Sequence, residues 1–89
     1  MKLHNLYRGN KMVYIENWKS NDGDEHVFCS DCHVELALLR YGKKIIWLGN
    51  CKHFQWRKLE EDKLDISDKN IAYLIFKGKY VYILKLKQK

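Results

Sequence analysis

Two short pairs of metal-ligand residues constrain this chain more than any other feature: Cys29-Ser30-Asp31-Cys32 and Cys51-Lys52-His53, with 18 residues between them. Three cysteines cannot all pair with one another inside one chain, so a closed disulfide framework is not what this pattern describes. A tetrahedral zinc ion takes thiolate and imidazole donors, and a two-residue gap lets the backbone turn tightly around one ion while its N–H groups support the sulfurs. The spacing predicts a closed, structural Zn2+ site made of Cys29, Cys32, Cys51 and His53. His33, directly after Cys32, and His26, which would have to swing across Cys29, are the alternatives for the fourth donor. A redox role for the C-x-x-C would call for a strand–helix–strand setting, and no such alternation surrounds it. In a chain of 89 residues the apolar core is thin, and a metal staple offsets the conformational entropy lost on folding.

The rest of the chain reads as strands. Met12 to Trp18 places Met12, Tyr14 and Trp18 on one face and Val13 and Ile15 on the other, and Arg8-Gly9-Asn10 is a turn toward a strand at Leu3 to Tyr7. Asn21-Asp22-Gly23-Asp24 is a loop. Val34 to Leu39 and Ile45 to Leu48 flank the turn Tyr41-Gly42-Lys43-Lys44, a hairpin that would return Cys51 to the side of Cys32. Phe54 to Leu59 alternates as a third strand, and acid-rich Glu60 to Asn70 connects, as a loop or a helical turn capped near Ser67 or Asp68. Ile71 to Phe76 and Tyr80 to Leu86 form a last hairpin about Lys77-Gly78-Lys79, where Gly78 supplies the positive φ of a tight turn. With no proline, low-complexity tract or repeat, residues 1–89 read as one mainly β domain: a small antiparallel sheet with a C-terminal β-hairpin at 71–87.

Knuckle, hairpin, knuckle and third strand, from Phe28 to about Leu59, resemble a zinc ribbon. The resemblance implies a small antiparallel sheet clamped by zinc at one end and covers roughly a third of the chain. It departs at the second knuckle, where Cys51-Lys52-His53 stands in place of another C-x-x-C. Gly49 to His53 is also similar to the final C-x-H of SWIM-type zinc domains, but those begin with C-x-C. Zinc ribbons serve nucleic-acid machines, protein contacts and enzyme subdomains alike, so the resemblance leaves function to the surface.

The net charge is +6, and all of it comes from one end: residues 1–68 balance 11 Lys/Arg against 11 Asp/Glu, while residues 69–89 carry six lysines and no acid. Lys43, Lys44, Lys77, Lys79, Lys85 and Lys87 are the candidate contacts to nucleic-acid phosphates, with Trp18, Tyr41, Trp47 and Trp56 available to stack. Only three arginines are present, which suits backbone contact better than base reading. The competing expectation is a protein-interaction adaptor that offers the edge of Tyr80 to Leu86 to a partner strand or to a homodimer, its lysines meeting an acidic surface. Four protein donors leave no open coordination position, so the expected role is not enzymatic, and Glu60-Glu61-Asp62 reads as a solvated acidic loop. No signal-like apolar run opens the sequence and no stretch reaches the roughly 20 apolar residues of a membrane span. The expectation is a soluble cytoplasmic protein.

Overall fold

The computed structural model describes residues 13–41 and 43–87. The predicted strand at Leu3 to Tyr7 and its turn at Arg8-Gly9-Asn10 lie outside them. Seven strands and one 3-10 turn make up the rest: β1 (Ile15–Lys19), β2 (Asp24–Cys29), β3 (Glu35–Arg40), β4 (Lys44–Leu48), β5 (Phe54–Glu60), β6 (Ile71–Lys77) and β7 (Tyr80–Leu86). No α-helix occurs among the described residues, and none of their helices is long and apolar enough to cross a membrane. The expectation of a mainly β fold holds, with two antiparallel sheets where one was expected.

The first sheet is a four-stranded meander in the order β1-β2-β3-β4. Its second strand hides within the C-x-x-C segment. His26 and Phe28 face outward while Val27 and Cys29 are fully buried, the alternation of a half-covered sheet. The Ser20–Gly23 loop is therefore a hairpin turn between β1 and β2. Gly23 adopts φ +97° there, and the Ser20 amide donates to the Asp24 carbonyl at 2.8 Å. The β3–β4 hairpin forms as the sequence pattern predicts, with Tyr41 and Lys43 both at positive φ in its turn. Asp24 and Arg40, opposite each other in the β2–β3 register, close this end of the sheet with a two-pronged ion pair at 2.8 and 3.2 Å.

The second sheet has the order β5-β7-β6. The β6–β7 hairpin turns through Gly78 at φ +63°, as its sequence requires. β5 corrects the ribbon expectation: it is a strand, but it pairs with β7 instead of completing the β3–β4 sheet. β7 is the central strand, so Tyr80 to Leu86 is not a free edge. Both β5 and β6 run antiparallel to β7 and hence parallel to each other, which forces residues 61–70 to carry the chain back along the sheet. This connection opens with a 3-10 turn at Glu61–Lys63, earlier than the Ser67 or Asp68 cap that the sequence suggested. The Glu61 amide bonds to the Lys79 carbonyl at one end, and the Leu86 amide to the Asn70 carbonyl at the other. Asp68 Oδ2 lies 2.7 Å from Lys85 Nζ, which lays the connection across the face where Val81 and Ile83 are buried.

The two sheets face each other over one apolar cluster. Val27, Cys29, Leu36, Ala37 and Leu39 come from the first sheet; Phe54, Ile75 and Leu84 come from the second. Two polar struts cross the layer. Trp56 Nε1 donates to the Leu36 carbonyl at 2.8 Å, so this tryptophan is a structural tie and not a surface platform. The Tyr73 hydroxyl donates to Glu25 Oε2 at 2.9 Å, and burial together with the carboxylate raises the Tyr73 phenol to about 12. The folded protein therefore holds this proton more tightly than the unfolded chain, whose phenol titrates near the ordinary value of about 10. Its contribution is complete below that pH and is lost as the pH rises toward 12. Tyr73→Phe is expected to cost about 1 kcal/mol near neutral pH and to flatten the alkaline loss of stability. Urea unfolding of both proteins at several alkaline pH values measures this; parallel curves would count against the assignment.

Candidate metal centre

The ligand-bearing segments meet where the two sheets join. Cys29 ends β2, Cys32 lies in the turn into β3, and Cys51 and His53 lie in the turn from β4 to β5. The first knuckle is closed by the His33 amide bonding to the Cys29 carbonyl at 3.0 Å and the Cys29 amide to the Val34 carbonyl at 3.1 Å. His33 itself takes φ +61°, the left-handed geometry that reverses the chain after Cys32. Ser30 secures the knuckle from outside, since its amide donates to the Tyr14 carbonyl and its hydroxyl accepts from the Tyr14 amide. The second knuckle is closed by the Cys51 amide bonding to the Phe54 carbonyl at 3.1 Å. The Lys87 amide donates to the His53 carbonyl at 2.7 Å and so fastens this turn to the end of β7.

Within this frame the donor atoms of Cys29, Cys32, Cys51 and His53 all lie within 4.8 Å of one another. A group of three sulfurs and one ring nitrogen at that separation is able to hold a metal ion. Cys29 is fully buried and the other three are half-buried. The alternatives for the fourth donor lie elsewhere. His33 is exposed, and His26 bonds to Glu35 Oε2 at 2.7 Å while packing against the Trp18 ring.

Main-chain N–H groups stabilise the sulfurs. The Asp31 and Cys32 amides point at the Cys29 sulfur, the Val34 amide at that of Cys32, and the His53 amide at that of Cys51, 3.3 Å away. Asp31 has a role that spacing alone did not reveal. Its Oδ2 lies 3.3 Å from His53 Nε2, a contact that holds the ring with Nδ1 toward the sulfurs, 3.5 Å from Cys29 Sγ. The signal available was an acid between the two cysteines, and only the fold shows which residue it orients.

Protons are shared unequally among these groups. Burial raises the Cys29 thiol to about 11, with Cys32 and Cys51 adding to the effect. Burial also works against ionisation of Cys32. There it is outweighed by hydrogen bonds from His53, the Val34 amide and the other two thiols, which draw Cys32 down to about 6. A cation bound here would displace the remaining thiol protons, so its affinity falls as the pH falls.

The lysines proposed for phosphate contact stand in different settings. Lys43 lies with its Nζ 4.6 Å over the Tyr73 ring, Lys85 is paired to Asp68, and Lys79 shares a cleft with Glu60, Glu61 and Asp62. Lys77 and Lys79 stand at the hairpin turn and Lys87 beyond the far end of β7, about 25 Å away at the rise of an extended strand. Of the aromatic candidates, Trp18 and Trp47 lie in one row across the outer face of the first sheet, in register with His26 and Leu38, and each is about half exposed. Tyr41 is exposed in the β3–β4 turn.

No protein-family model, curated protein or solved structure matches the chain. The structure shows a Cys3His cluster that could bind a metal within a small β domain.

Proposed function

We propose that the chain is a small protein-binding module whose fold is held by a structural zinc ion. The observation that carries the zinc reading is the convergence of Cys29, Cys32, Cys51 and His53 within 4.8 Å where both sheets meet. Three thiolates and an imidazole suit zinc, and four protein donors fill its tetrahedral shell with no place for a substrate or a reactive water. In this reading the ion is a staple that joins the sheets and performs no step of chemistry. The Asp31 carboxylate and the main-chain amides around the sulfurs are the outer contacts that orient such ligands.

Native mass spectrometry of the full chain, expressed with zinc, tests this. The wild type is expected to carry one zinc ion, and Cys51→Ser and His53→Ala are each expected to lose it. A wild-type chain that carries no metal would overturn the reading.

A nucleic acid contacted through its phosphates is the second reading, and the net charge of +6 favours it. The arrangement of that charge favours protein: Lys79 sits among three acids and Lys85 is paired to Asp68. Nucleic acid that co-purifies with the chain and dissociates steeply with salt would reverse this preference.

A further inference from the structure

A free strand edge is a template for another strand, and charged side chains or bulges are the usual defence. Among the described residues four edges are free, and three are defended. β1 carries Glu16 and Lys19, β4 begins at Lys44 and has a bulge in its pairing with β3, and β5 carries Arg57, Lys58 and Glu60. β6 bears such features only at its ends: its one charge is the terminal Lys77, no charged residue lies from Ile71 to Phe76, and only β7 pairs with it. Its one irregularity lies between Ile71 and Tyr73, so Tyr73 to Lys77 is a regular edge. Phe76 is 54% exposed, and a groove of about 570 Å³ runs beside the strand, lined by Ile71, Ala72, Tyr73, Leu74, Phe76 and Lys43.

The charged groups that flank the groove, Lys43 and Lys77, are both cationic. Lys43 lies over Tyr73 near the start of the regular stretch, and Lys77 ends it. Among the described residues no aspartate or glutamate lines the groove. Nearby acids are engaged: Glu25 accepts from Tyr73 and Asn17, and Asp68 holds Lys85.

We propose that β6 is a docking edge, to which an extended acidic segment of a partner protein adds as a fourth strand of the second sheet. The proposal rests on the protein-binding reading above and gives it a surface and a partner chemistry. Main-chain bonds to the free side of Tyr73–Lys77 supply affinity, alternate apolar side chains cover Leu74 and Phe76, and carboxylates meet Lys43 and Lys77. A second copy of this chain fits less well. Antiparallel pairing of two β6 strands brings the Lys77 end of each to the Lys43 end of the other, with like charges opposed.

The test titrates zinc-loaded full-length protein into a labelled peptide of alternating valine and glutamate, with a valine–lysine peptide and oligothymidylate as comparisons. Fluorescence anisotropy reads binding, and amide chemical shifts locate it. The glutamate peptide is expected to bind, with shifts concentrated at residues 72–77, and the lysine peptide is not. Combining Lys43→Glu with Lys77→Glu is expected to weaken the glutamate peptide at least about tenfold and to admit the lysine peptide. Both lysines are exposed, so the fold should survive the change. Peptide shifts at Trp18 and Trp47 instead would overturn the β6 assignment while leaving the protein-binding reading intact. Binding of oligothymidylate alone would overturn both, and a homodimer joined through β6 would replace the acidic partner with a second copy.

Discussion

Replacing Cys51 with serine is expected to abolish the cooperative unfolding transition of this protein, and chelation of the wild type should do the same. The physical case lies in where the four donors sit. Cys29 and Cys32 belong to the first sheet, whereas Cys51 and His53 form the turn that delivers the chain into the second. A cation bound to all four would join the sheets beside the apolar cluster they share, where Cys29 and Phe54 are buried. Structural zinc contributes on the order of 10 kcal/mol in small zinc-dependent folds. That matches or exceeds the total stability of roughly 5–10 kcal/mol expected for a chain of this length. Thermal melts followed by circular dichroism, with and without chelator, measure the effect. An unchanged transition after the metal is stripped would show that packing alone holds the sheets.

The second large effect is expected from Phe54→Ala. Phe54 is 1% exposed, opens β5 immediately after His53, and packs in the cluster that both sheets share. Truncating a buried phenylalanine leaves a cavity that its neighbours fill only in part, at a cost of about 3–5 kcal/mol. Here the cavity adjoins the metal centre, because the Phe54 carbonyl also closes the second knuckle by accepting from the Cys51 amide. The variant should therefore lose stability in urea and also bind zinc more weakly in competition with a chelator. Phe76→Ala supplies the contrast: on an exposed edge it should change stability by less than about 0.5 kcal/mol. Equal losses from the two variants would contradict the core described above.

Much of the local structure was legible in the residues because its causes are local. Gly78 in a Lys-Gly-Lys turn, the Val34–Leu48 hairpin and the alternation of Phe54 to Leu59 all became the elements that their patterns indicate. The donor set was legible for a related reason: two short knuckles fix most of a tetrahedral geometry before any long-range contact forms, and Cys29, Cys32, Cys51 and His53 do converge. β2 was in principle legible too. His26-Val27-Phe28-Cys29 alternates as a strand should, but the C-x-x-C drew the segment into a knuckle and obscured the strand that leads to it.

What the sequence determined by itself was thus most of the described strands, their turns and the candidate ligands, since each depends on neighbours a few residues apart. The tertiary structure decided which strands meet. Alternation tells which face of a strand is covered but not which strand lies beside it, so nothing local moved β5 out of the first sheet or placed β7 between β5 and β6. That pairing buried the expected edge at Tyr80 to Leu86 and left β6 exposed in its place. It turned Trp56 into a strut on the Leu36 carbonyl and set Asp31 against His53. It also set Lys85 against Asp68 and Lys79 among Glu60, Glu61 and Asp62, although both had looked like free charges of one basic end. Charge is a property of the chain, whereas a charged surface exists only once packing has chosen which side chains stand together.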